Sequence, residues 1–127
     1  MNKSDREFIW NKYDKKCAYC GKSLEYNKMQ VDHIEPLFRN DSDEVVEKFG
    51  RKKGSNDMDN LNPSCARCNR WKSTYTLEQF RNEISLQSER LKKYNNQYRM
   101  ILDFNMVIET NNEIEFWFEK YNKLGLY

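Results

Sequence analysis

The chain has 127 residues, 38% of them hydrophobic and 14% aromatic, a net charge of +2 and a mean hydropathy of -1.07. That length suits one domain over 1–127, because two separate cores would each approach the size that cannot stabilise itself, and so polar a chain gains from a covalent or metal staple. Membrane insertion is excluded: Met1 to Lys16 is charged throughout, and the most apolar later stretch, Met100 to Ile108, is too short and polar to span a bilayer, so a soluble, intracellular and cytoplasmic protein is expected. Positions 1–72 hold 15 Lys+Arg against 12 Asp+Glu, while 73–127 hold 7 against 8. A polyanionic partner is therefore expected to meet the first part, with modest and salt-sensitive affinity.

In chain order, Ser4-Asp5-Arg6-Glu7 reads as a capping box for a short helix carrying Phe8, Ile9 and Tyr13. Residues 22–34 read as extended, with Met29, Val31 and the His33 region in a short strand closed by Pro36. The polar stretch from Arg39 to Asp59 is an insertion with a helical turn or two around Glu44 to Phe49. A second strand is expected over Asn60 to Asn62, with Pro63 and Ser64 opening a helix. Thr76-Leu77-Glu78-Gln79 is a second capping box. After it Leu77, Phe80, Ile84, Leu91, Tyr94, Tyr98 and Ile101 keep three-four spacing, which predicts one long amphipathic helix. Near the end, Ile114, Trp117, Phe118, Tyr121 and Leu124 fit a helix better than the alternating strand of Ile114, Phe116 and Phe118.

Four cysteines form two Cys-x-x-Cys pairs, Cys17/Cys20 and Cys65/Cys68. In a reducing compartment such pairs are metal ligands rather than disulfides. Four thiolates suit tetrahedral zinc, each pair wrapping the ion in a tight turn, and Gly21 permits the positive φ such a turn needs. A closed four-thiolate site leaves no position for substrate, so the zinc is structural. The 44 residues between the pairs leave room for a functional unit.

Within that interval lies Asp32-His33, which contains the chain's single histidine. On an extended segment the two side chains point to opposite sides, so one can bind metal while the other faces water. An imidazole with its ordinary pKa, about 6.5, is mostly neutral at pH 7 and able to accept a proton. Asn69 follows Cys68 directly and shares a helix face with Lys72.

Asp32-His33-Ile34-Glu35-Pro36, Asp59-Asn60-Leu61 and Cys65-Ala66-Arg67-Cys68-Asn69-Arg70-Trp71-Lys72 together resemble the HNH nuclease family with a four-cysteine zinc site, over about residues 15–75. The resemblance implies an α+β fold, a small beta-beta-alpha metal motif stapled by zinc, here with an N-terminal helix and a mainly helical extension over 76–127. It also implies that Asp32 and Asn69 are ligands of a catalytic divalent ion, that His33 is the general base and that Asn60 fixes the loop and orients His33. Their hard oxygen atoms suit magnesium or manganese.

Lys72 is the candidate phosphate contact, and the Arg51-Lys52-Lys53 run a weaker one. Trp71, Tyr75, Trp117 and Tyr121 are assigned mainly to core packing. The reading is a metal-dependent DNA endonuclease, monomeric or homodimeric, that a phage or mobile element would equally encode. The alternatives are a non-enzymatic zinc-stapled nucleic-acid-binding module and an interaction domain built on the long helix.

Overall fold

The computed structural model describes residues 1–125; the last two positions of the extension expected over 76–127 lie outside the described residues. Helix α1, Lys3–Asn11, opens the chain. Its N-cap is Asn2, whose Oδ1 accepts from the Asp5 backbone N–H at 2.8 Å. The expected Ser4 box is therefore not the cap: an asparagine two residues earlier satisfies the free N–H groups first.

Strands β1, Gln30–His33, and β2, Leu61–Ser64, pair antiparallel with Asp32 opposite Asn62 and His33 opposite Leu61. Between them lies α2, Asp43–Lys48, capped by Ser42. Pro63 sits inside β2 instead of opening a helix. Only one strand pairs with β2, so the missing N–H costs no ladder bond, and the Pro63 carbonyl accepts from Ala18 N–H at 2.8 Å. Helix α3, Ala66–Lys72, starts three residues later than Pro63, with Cys65 as its N-cap.

The long helix expected from Leu77 divides into α4, Leu77–Ser85, α5, Gln87–Tyr94, and α6, Asn96–Asp103. Thr76 and Gln79 do form the capping box of α4. Asn95 leaves helical space (φ -129, ψ 106) and caps α6 by accepting from Tyr98 N–H. Asparagine competes with the helix for backbone groups in this way. Helix α7, Trp117–Lys123, bears out the helical reading of the tail.

Two apolar clusters hold these elements. One joins Cys17, Ala18, Tyr19, Cys68, Phe80 and Phe116, with Tyr19 edge-on to Phe80 and Phe116. The other joins Ile9, Leu24, Met29 and Leu61 beneath α1. No helix among the described residues is long and apolar enough to cross a membrane.

Candidate active site and metal centre

The first thiol pair sits on a turn whose backbone explains the residues around it. Cys17 N–H donates to the Lys22 carbonyl and Gly21 N–H to the Cys17 carbonyl. Gly21 takes φ +75, the conformation expected of it. The second pair straddles the start of α3, where Cys65 Sγ accepts from Cys68 N–H at 3.4 Å.

All four Sγ atoms lie within 4.8 Å of one another, and Cys20 and Cys65 are 4.0 Å apart. A tetrahedral zinc at its usual sulfur distance spaces its ligands by about 3.8 Å, so the cluster fits one. Cys17 is held down to about 4 by the Cys68 thiol hydrogen bond, with help from the Cys65, Cys20 and Tyr19 backbone N–H groups. The same contact and burial push Cys68 up. Four sulfur atoms gathered this closely are positioned for one metal ion, which supports structural zinc.

Asp32 points from β1 into the interior and is only 4% exposed. Tyr19, from the cysteine turn, donates its hydroxyl to Asp32 Oδ2. Lys72, from the last turn of α3, places Nζ 3.2 Å from Asp32 Oδ2 and 3.0 Å from the His33 carbonyl. Burial raises the Asp32 pKa against the pull of Lys72 and Tyr19. It also lowers that of Lys72 against the pull of Asp32. Each charge thus depends on the other for its place in the interior.

Lys72 is wholly buried, so the phosphate contact expected of it is corrected to a structural ion pair. Its side chain runs from α3 toward β1, away from solvent.

Asp32, His33 and Asn69 all line one open cleft of about 570 Å³, which Phe38, Asn40, Ser73 and Thr74 also border. Asn69 Nδ2 donates to Gln30 Oε1 at 2.6 Å, which leaves the amide Oδ1 available. Asn60 is not in the cleft wall. Its Oδ1 accepts from Glu35 N–H at 2.8 Å while its Nδ2 donates to the Glu35 and Ser55 carbonyls. It locks the segment that follows His33.

The basic run closes the insertion. Arg51 pairs with Glu35 at 2.9 Å and lies over Phe38, and Lys53 faces Asp43 at 3.7 Å. Of the four aromatic residues, Trp117 packs on Gly21 and Tyr121, whereas Trp71 and Tyr75 remain exposed.

The sequence reading missed Tyr19, Gln30 and Asn56 as residues of the site. Asn56 Oδ1 lies 2.8 Å from His33 Nε2. None of the three carries a spacing signal of its own, although Tyr19 stands between two ligands of the staple.

The two thiol pairs, the paired strands, the Asp-His cleft and the helix bearing Asn69 all fall within one continuous stretch of chain. No curated protein matches the sequence. Residues 17–74 match the family model described as HNH endonuclease, so over that segment the chain is similar to the HNH endonuclease family.

Proposed function

We propose that the protein is a metal-dependent DNA endonuclease whose general base is His33. The observation that carries this reading is the shared cleft of Asp32, His33 and Asn69, set inside a segment similar to a family of nucleases. Asp32 and Asn69 offer a carboxylate and an amide oxygen, a donor set that fits magnesium or manganese and leaves room for water and phosphate oxygens. Such an ion, when bound, supplies positive charge to the scissile phosphate and the departing oxygen.

His33 removes a proton from the attacking water, the new bond forms at phosphorus, and the bond from phosphorus to the 3' oxygen breaks, that oxygen taking a proton from solvent water as it leaves. The products are a 5'-phosphate and a 3'-hydroxyl, and the imidazolium returns its proton to solvent. Asp32 is held in place from two directions, by Tyr19 and Lys72. Orientation of this kind is what a site of few ligands requires.

The test is plasmid cleavage with magnesium or manganese. His33→Ala is expected to cut about 10²- to 10⁴-fold more slowly, the usual cost of losing a general base. Equal cutting by the variant would sink the assignment. DNA binding by wild type without any metal-dependent cleavage would leave the non-enzymatic module standing instead.

A further inference from the structure

The insertion between the two strands returns to the site through Gly54, Ser55 and Asn56, and this limb is fixed tightly. Gly54 N–H donates to the Pro36 carbonyl at 2.8 Å. A Cβ at Gly54 would stand 1.8 Å from the Glu35 carbonyl oxygen, so no other residue fits without displacing the backbone. The Ser55 carbonyl accepts from Asn60 Nδ2 at 2.8 Å, and Ser55 Oγ accepts from Asp57 N–H at 3.2 Å. Backbone before Asn56 is therefore tied to the segment that follows His33, directly at Gly54 and through Asn60 at Ser55, while Asp57 closes a local turn on Ser55. An otherwise exposed asparagine is delivered to one ring nitrogen.

We propose that Asn56 is the positioning residue of the general base. Its amide oxygen accepts from Nε2–H of His33, which fixes the ring plane and the tautomer and leaves Nδ1 as the nitrogen that takes the proton from water. An amide oxygen has no proton to give, so the nitrogen facing it at 2.8 Å carries one. A base oriented by a third group is the logic of many proton-transfer sites. Among the described residues, Asn56 is the only side chain hydrogen-bonded to the imidazole. The inference rests on His33 being the base, yet the contact it names can be read without any cleavage.

Because His33 is the only histidine, long-range proton–nitrogen NMR correlations of the imidazole need no assignment. Spectra of wild type and Asn56→Leu are compared at about pH 9, where an imidazole is neutral. The Nε2–H form is expected to dominate in wild type, and the share of Nδ1–H to rise about fivefold in the variant, the ratio one ordinary hydrogen bond supports. A wild-type ring protonated on Nδ1, or a tautomer ratio that Asn56→Leu does not move, overturns the proposal.

In cleavage assays Asn56→Leu is expected to lower kcat about 10-fold or more with KM unchanged, the pattern of lost orientation rather than lost binding. Asn56→Asp, which keeps the acceptor, recovers most of it. An Asn56→Leu effect confined to KM, or one that Asn56→Asp fails to recover, counts against the role. If wild type itself does not cut, the nuclease reading fails while the NMR comparison still decides the contact.

Discussion

Asp32 and Lys72 form the pair on which the interior of the site depends. Both are at most 4% exposed and 3.2 Å apart. Removing one member strands the other's charge in a poorly solvated place. Lys72→Ala is expected to cost about 3–5 kcal/mol in a denaturant titration. The double variant Asp32→Asn with Lys72→Met should recover much of that loss, since it removes both charges and keeps the volume. A single-variant loss under about 1 kcal/mol would show that the pair is not mutually dependent. Ser73, directly after α3 in the cleft wall, holds φ 45 and ψ -125, a conformation that suits glycine. Ser73→Gly is expected to stabilise the fold by about 1 kcal/mol, read as a higher midpoint in the same titration. An unchanged or lower midpoint would mean that the Ser73 side chain contributes as much as the strain removes.

Between elements, the chief tie of α4 to the α7 region runs through Arg81 of α4. Its guanidinium reaches both Glu119 oxygens of α7, at 2.9 and 2.8 Å, and lies over the Phe116 ring. The Arg81 hydrogen bonds hold the Glu119 carboxyl below the usual glutamate range. A carboxylate lowered in the folded state contributes stability above its unfolded pKa and loses it as pH falls through the folded one. Glu119→Gln is therefore expected to be less stable than wild type at pH 7, by about 1 kcal/mol. The two proteins should converge as pH falls below the usual glutamate range. Parallel stability curves across that range would show that the charge is not what joins α4 to α7.

How far these elements could be read from sequence depended on whether their cause was local. The cysteine turns and the Thr76 box are set by residues within four positions of one another, and they appear where expected. The division at Asn95 has a local cause as well, yet the apolar stripe of α4 to α6 outweighs a single capping residue when periodicity alone is counted. Lys72 shows a different limit. Its spacing from Asn69 gave the helix and not the direction of the side chain, which the position of β1 decides. Asn56 is further still from prediction, because only the closure of the insertion by Gly54 and Asn60 brings it to His33.

For the whole molecule, the zinc turn is where the separate parts meet. Ala18 N–H donates to Pro63 of β2 while its carbonyl accepts from Phe118 N–H, and the Tyr19 carbonyl accepts from Trp117 N–H. The Tyr19 side chain meanwhile packs between Phe80 and Phe116 and ends on Asp32. One four-residue turn thus supports the strand pair, the C-terminal helix and the carboxylate of the cleft. Metal binding to a four-thiolate site of this kind is coupled to folding, with structural zinc worth on the order of 10 kcal/mol at neutral pH, comparable to the whole stability of a small domain. Purified protein is expected to hold about one zinc per chain, the number one closed four-thiolate site accepts. Stripping it with a strong chelator should abolish the cooperative thermal transition, together with the near-ultraviolet dichroism of Tyr19 and its aromatic neighbours. Cys68→Ser should reproduce that loss. Cys20→Ser, at the one exposed thiol of the four, should weaken zinc without removing the transition, because Cys20, unlike Cys68, takes no part in the buried aromatic cluster. A chelated protein that melts at the wild-type temperature would show that aromatic packing alone holds the turn, and that the cleft does not depend on zinc.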